Sequence, residues 1–366
     1  MSGACAPSPA PVYLAGRGLA CALGRDLAAA LGAMARGGVA PVPVRVAEGF
    51  AWPVQVLPHE PGDWLLRLGR TVRAVVGECG LPAERPPGMP LFIASSSLDI
   101  GREEEGQGEG LAGDMQSFAD GVAGALDWRG PVFTVSTACT SAVNALLAAM
   151  DLLRGGEATQ ALVLGIEFSN RLTLAGFGGM QLLSPDRARP FGAARNGLVL
   201  GEAVAAVHLS TEPARWRLAG GANRVAGSTP TGADARAIDA ACREALRQAG
   251  LAAAEIDLVK PQAAGSPGND AIEAEALRAL FGAGLPPMVE FKSLIGHALG
   301  ASGAAELVLL TACLEGGAWP AVAHAPDPAL GMAFSARPPA RARHILFNAI
   351  GFGGGHAALL IEDCAA

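Results

Sequence analysis

The order of elements along residues 12–210 is repeated along residues 216–361, and a chain that repeats itself over such a span folds as two similar halves about a pseudo-twofold. In the first half, Val12-Tyr-Leu-Ala-Gly16 reads as a strand closing on glycine. A helix follows near Asp26 to Arg36, with Leu27, Leu31 and Met34 on one face. After a Pro/Gly-rich stretch from 39 to 90 with one helical segment around Leu65 to Cys79, Leu91 to Ser95 reads as the next strand. Pro131 to Met150 reads as a strand, a turn at Cys139 and an Ala/Leu-rich helix, which ends at Gly155-Gly156. The second half answers in the same order. Trp216 to Gly220 opens it, Ile256 to Lys260 answers Leu91 to Ser95, and Met288 to Lys292 leads into a helix around Gly303 to Leu310. Ala161-Leu-Val-Leu-Gly165 is the short unbroken apolar run of a strand covered on both faces, and His344 to Asn348, a glycine turn and Ala357 to Ile361 close the second half. Two covered sheets with helices between and around them predict an α/β fold of five layers, α-β-α-β-α, with halves at 1–210 and 211–366 and a cleft where the turns meet.

With 366 residues, 51% of them hydrophobic, and 49 glycines, the chain describes a compact protein of cytoplasmic type. A net charge of -7 argues against nucleic acid, which needs a basic face. Seven cysteines without CxxC pairs suit a reducing compartment and imply neither a disulfide framework nor a metal site. No cofactor is implied. Met1 to Pro11 lacks the pattern of a signal peptide and reads as a loose tail. No apolar run approaches the roughly 20 residues that span a bilayer, so no membrane span is expected.

Cys139 carries the strongest chemical signal. A thiol at a helix N-terminus meets unpaired N–H groups and the positive end of the dipole, which favours its thiolate. The bland alternative is a small core residue. The acidic run Arg102-Glu-Glu-Glu-Gly106 reads as a solvated loop face, and His208 as a surface or satisfied histidine. Gly351-Phe352-Gly-Gly-Gly355 reads by itself as a tight connection between strands. A dinucleotide motif would need glycine at 356, where His356 stands.

Thr137-Ala-Cys139-Thr-Ser141, Lys292-Ser-Leu-Ile-Gly-His297 and the glycine turn at Phe352 together resemble the β-ketoacyl synthases, condensing enzymes of the thiolase superfamily. The resemblance implies the thiolase fold. It makes Cys139 the acyl-accepting nucleophile, with its own N–H and that of Phe352 as the oxyanion hole. His297 would donate to the extender's thioester carbonyl, and Lys292 with Glu306 would fix its surroundings. The implied partners are an acidic acyl carrier protein, docking on Arg67, Arg70 and Arg73 or on Arg187 and Arg189, and a second ketosynthase chain. Family members dimerise edge to edge, which would make Ala161 to Ile166 the joining strand of a homodimer or heterodimer.

Three departures stand against the match. Counting back from Asn269-Asp270-Ala-Ile-Glu273, the place of the first histidine in the family's His-Gly-Thr-x-Thr-Pro motif holds Gln262, whose amide can donate a hydrogen bond but cannot exchange a proton. His356 stands where asparagine is usual, and Asn196 where aspartate is usual. The chain is also short before residue 90 and around Gly227 to Asp234. Three activities are compatible with this pattern: an atypical condensing enzyme using Cys139, Gln262 and His297; a partner subunit similar to the chain-length factors of type II polyketide systems; and a thiolase-type acyltransferase using Cys139 with another donor such as coenzyme A. The Ser95 to Gly101 loop also resembles the synthases of aryl polyene clusters.

Overall fold

The computed structural model describes residues 10–58, 61–82, 84–106, 114–226 and 230–366. The leader before residue 10 and the start of the Gly227 to Asp234 segment lie outside them. Along the first half run β1 (Val12–Cys21), α1 (Leu27–Ala35), β2 (Val42–Ala47), β3 (Phe50–Gln55), α2 (Trp64–Glu78), β4 (Leu91–Ala94) and α3 (Ile100–Glu104). Then come α4 (Met115–Ala125), β5 (Val132–Val135), α5 (Ser141–Arg154), β6 (Gln160–Glu167), α6 (Arg171–Gly179), β7 (Leu200–Gly201) and β8 (Ala203–Ser210). The second half holds β9 (Trp216–Val225), α7 (Ala235–Ala249), β10 (Leu258–Lys260), α8 (Pro267–Phe281), α9 (Lys292–Ile295), α10 (Ser302–Leu314), β11 (His344–Gly351) and β12 (Gly355–Asp363).

The strand order is a mirror. One side reads β5-β4-β6-β8-β1 and the other β9-β12-β11-β10, and β1 meets β9 through only three residue pairs, from Val12–Leu218 to Leu14–Trp216. The partner of β5 in the second half is reduced to a parallel bridge between Met288 and Val259, because Pro286 and Pro287 before it have no N–H to extend a ladder.

Alternate residues of the inner strands pack into different layers. Ala161 and Val163 of β6 and Phe347 and Ala349 of β11 face a shared central core built on α5 and α10. Leu162 and Leu164 face outward to α2 and α4, and Leu346 and Ile350 outward to α7 and α8. Five layers result, in the thiolase-like arrangement. The central helix α10 is buried from Ser302 to Cys313, as its all-round apolar sequence requires, whereas α7 buries one stripe. No helix among the described residues is long and apolar enough to cross a membrane.

Several expectations change. β1 does not close at Gly16 but runs on to Cys21. The glycine is there because a Cβ at that position would lie 1.8 Å from the carbonyl oxygen of Cys79, at the end of α2. The Pro/Gly-rich stretch holds a hairpin, β2–β3, in which Pro43 faces Pro53. The acidic run is not a solvated loop. Glu104 accepts the N–H groups of Arg171 and Leu172 at 2.8 and 2.7 Å, and Glu105 that of Trp64 at 3.0 Å, so these carboxylates sit at two helix N-termini, where the dipole favours them. The expected joining strand, Ala161 to Ile166, is internal, bonded to β4 on one side and β8 on the other. Its unbroken apolar run marks burial on every side, whereas the open edge belongs to β5, where Phe133 is 42% exposed.

Candidate active site

β5 delivers the chain into the turn before α5, and three hydroxyl contacts pin that turn. Ser141 Oγ accepts the Thr137 N–H at 2.9 Å and donates to the Ala138 carbonyl at 2.6 Å, while Thr140 Oγ1 donates to the Thr137 carbonyl at 2.7 Å. Ala138 takes a positive φ of 52°, which turns Cys139 inward. The glycine turn between β11 and β12 presses directly on it. A Cβ at Gly351 would lie 3.2 Å from Thr140 N and 3.3 Å from Cys139 N. The Phe352 and Cys139 N–H groups both pull the thiol down against burial, so two backbone donors stand beside the sulfur, where a developing oxyanion calls for them.

A small cavity of about 30 Å³ opens onto the thiol, lined by Cys139, Gln262, His297, Phe352, Phe177 and Leu198. Phe177 of α6 stacks on Phe352, with centroids 5.3 Å apart, and narrows it. One expectation is corrected here. Cys139 is buried and stands two residues before the first residue of α5, and burial pushes its thiol up to about 12, against the opposing pull of the Phe352 N–H and the Lys292 charge. In this state the cysteine is a neutral thiol, because burial outweighs the dipole.

His297 is fixed by its own backbone, which donates to the Val199 carbonyl at 2.7 Å and accepts from Gly201 at 3.0 Å. Burial and the neighbouring Lys292 and Lys260 charges hold its imidazole well below the usual histidine range, so the ring is neutral. Nδ1 lies 2.9 Å from Ser302 Oγ. When Nδ1 accepts from that hydroxyl, Nε2 carries the proton and the ring is a donor. Glu306 is fully buried and ion-pairs with Lys292 at 2.5 Å, as the spacing predicts, and also with Lys260. Sequence reasoning passed over Lys260. Its signal is a charge ending the apolar strand Leu258-Val-Lys260 inside a covered sheet.

The Gln262 loop hangs on two buried carboxylates of α8. Glu273 accepts the N–H groups of Gln262 and Ala263 at 2.6 and 2.8 Å, and Asp270 those of Ala264 and Gly265, both at 3.1 Å. The loop can therefore hold Ala263 at a positive φ of 22°. The acidic segment is a brace for position 262.

The other departures lie outside the cavity lining. His356 donates from Nδ1 to the Gly354 carbonyl at 2.9 Å and accepts the Asp234 N–H at 3.0 Å, tying the glycine turn to the start of α7. Asn196 Oδ1 accepts from Ser184 at 2.8 Å. His208 is buried 3.0 Å from Gln160 Oε1, a satisfied histidine. Of the arginines, Arg67 is committed to Glu202 and to the Phe168 ring, while Arg187 is largely exposed.

Comparison with known proteins gives the same family from two directions and the same fold from a third. The β-ketoacyl synthase N-terminal domain matches residues 94–214 and the C-terminal domain residues 218–326. Nodulation protein E of Rhizobium meliloti is 34% identical over 314 residues, 81% of this chain and 76% of the relative. A putative polyketide β-ketoacyl synthase 1 of Streptomyces cyaneus is 33% identical over 277 residues, 68% of this chain. The match covers 64% of that relative, less than two thirds of its length. In fold, the chain superposes at a TM-score of 0.83 on a structure of the ketosynthase ApeO in complex with its chain length factor ApeC from Xenorhabdus doucetiae, at 23% identity and covering 100% of both chains. The chain belongs to the β-ketoacyl synthase family.

Proposed function

We propose that the chain is an acyltransferase of the β-ketoacyl synthase type, in which Cys139 takes an acyl group from a carrier thioester and the enzyme condenses it with a malonyl carrier. The observation that carries this reading is the packing of the glycine turn on the Cys139 turn, which sets the Phe352 and Cys139 N–H groups beside a thiol that shares its cavity with a neutral His297. The half at 1–210 supplies the nucleophile, and the half at 211–366 supplies Gln262, Lys292, His297, Glu306 and Phe352. The relatives' names support a polyketide substrate class. The carrier arm would enter past Ser266 and Asn269, which also line the cavity. Arg187 is largely exposed whereas Arg67 is held by Glu202, which favours Arg187 over Arg67 as a docking charge. Intact-protein mass after incubation with acyl carrier thioesters tests the reading: the expected result is one acyl adduct that disappears in Cys139→Ala, and an unmodified wild type sinks it.

One observation favours a second reading. Gln262 offers a dipole where decarboxylation calls for proton-competent help, so the chain would serve as the impaired member of a pair with an intact ketosynthase. Neighbouring folds include ketosynthases with their chain length factors. Pairing would use the open edge of β5. Native mass spectrometry after co-expression with an intact ketosynthase separates the readings: a homodimer that elongates malonyl carrier alone excludes the partner role.

A further inference from the structure

Helix α10 starts without a side-chain cap. Its N-cap is Ala301, and Ser302, which follows, leaves the free N–H groups of the first turn alone. Serine is favoured at helix starts because its hydroxyl bonds those groups. Here the hydroxyl turns back instead. Ser302 Oγ lies 2.9 Å from His297 Nδ1, and that ring nitrogen is its sole hydrogen-bond partner among the described residues. The backbone fixes both groups. His297 is clamped to β7, and the tight turn Leu299–Ala301 carries the chain on to Ser302, whose N–H donates to the Ala298 carbonyl at 3.1 Å. Inside that turn the Gly300 N–H donates to Glu167 at 3.0 Å. A Cβ at Gly300 would lie 2.6 Å from Ser96 N, so the turn is pressed against the chain leaving β4.

The direction of the bond follows from what each choice would leave unmet. A neutral imidazole and a hydroxyl carry one proton each, so either can donate. With the ring proton on Nδ1, the hydroxyl would accept and its own proton would find no acceptor, in a residue only 2% exposed. A buried donor without a partner costs its full desolvation, whereas an imidazole nitrogen that accepts leaves no proton stranded. The hydroxyl therefore donates, Nδ1 accepts, and the ring proton sits on Nε2. That nitrogen has no partner among the described residues. His297 lines the cavity with Cys139 and Gln262, and Ser302 stands behind it, outside the lining.

Burial and the Lys292 and Lys260 charges keep the ring neutral, so its tautomer decides what it offers to a substrate. Resting on the acyl-transfer reading above, we propose that Ser302 is a positioning residue, whose hydroxyl holds His297 as the Nε2–H tautomer and so makes the ring a fixed hydrogen-bond donor to the carbonyl oxygen of the malonyl thioester. No covalent bond changes in this step. The Nε2 proton stays on the ring while negative charge grows on the oxygen, and the Ser302 proton stays on its hydroxyl. The other tautomer would present a lone pair to the same oxygen and repel it.

The test is nitrogen NMR of protein isotopically labelled at histidine, in wild type, Ser302→Ala and Ser302→Thr, with the His297 signals identified as those lost in His297→Gln. In wild type Nδ1 should show the shift of a bare, pyridine-type nitrogen and Nε2 that of a protonated, pyrrole-type one. Ser302→Ala should draw the two shifts together as the tautomers mix. It should also slow carbon dioxide release from malonyl carrier roughly fivefold at unchanged KM, the factor that one net hydrogen bond supplies. Ser302→Thr, which keeps the hydroxyl, should recover both the shifts and the rate. A wild-type ring protonated at Nδ1 overturns the proposal, and it does so even where no variant folds. Wild-type shifts in a folded Ser302→Ala would make Ser302 a packing residue, and mixed tautomers without any loss of rate would cut its link to the reaction; either result is equally fatal. The spectra need no thioester, so a failure here leaves the acyl-transfer reading intact. Conversely, a chain with the expected spectra whose Cys139 never takes an acyl group defeats only that reading.

Discussion

Gln262 concentrates the chemical question at a single side chain. Its backbone is held by Glu273 as firmly as any catalytic loop would be, so the position is built for a defined group and the group present is an amide. Replacing it with histidine restores proton exchange at an unchanged backbone. Gln262→His should therefore raise carbon dioxide release from malonyl carrier by roughly 10²-fold, the usual scale of general acid–base help. An unchanged rate in the folded variant, measured beside Cys139 acylation, would mean that the amide already does what this position requires. Cys139 teaches the complementary lesson. A helix start is visible in sequence and its dipole can be reasoned from it, but the layer of protein that buries the thiol and raises it to about 12 comes from residues remote in sequence, Leu183, Leu198, Ala264 and Leu299 among them.

Among the elements, buried carboxylates at strand and helix ends hold the site loops. Glu167, at the end of β6, accepts N–H groups from Ser96, Ser97 and Gly300 at 2.9, 2.9 and 3.0 Å. Asp270 does the same for Phe191, Ala264 and Gly265. Burial raises both carboxyls to about 7, above their unfolded values. The native state thus keeps protons that the unfolded chain has already released, and stability falls as pH rises from about 4 to about 7, by up to ~1.4 kcal/mol per pH unit for each group. Melting temperatures between pH 5 and 8 should show this decline, and Glu167→Gln should flatten its share of it; a rising curve would contradict the assignment. Legibility follows the same physics. Helices α1, α2 and α10 and the inner strands were readable because period and composition are local properties. The β2–β3 hairpin was hidden by prolines tolerated at a sheet edge, and Lys260 by lying in an otherwise ordinary strand. The capping role of Glu104 depends on α6, far along the chain, and the true edge of the sheet on strand order, which no single run of residues reveals.

For the molecule as a whole, the open edge of β5 is the surface on which the proposed pairing rests. An edge strand with one side unpaired and an exposed phenylalanine needs either a covering partner or a charge to keep it apart from its neighbours. Phe133→Glu should convert a dimer to monomer in sedimentation velocity while leaving the melting curve of the monomer close to wild type, and a variant that still sediments as a dimer would place the contact elsewhere. The central layer has a different consequence, which concerns the order of synthesis. Helix α5 ends at Arg154, and α10, against which it packs, begins only at Ser302. At 5–20 residues per second, the ribosome needs roughly 7–30 s to make the chain between them. Throughout that interval the buried face of α5, with Val143, Leu146, Met150 and Leu153, has no second sheet or helix to close over it. The nascent first half therefore carries an unclosed apolar face for that interval, and the protein's yield in a cell depends on how long that half-built core can be kept from finding another like itself.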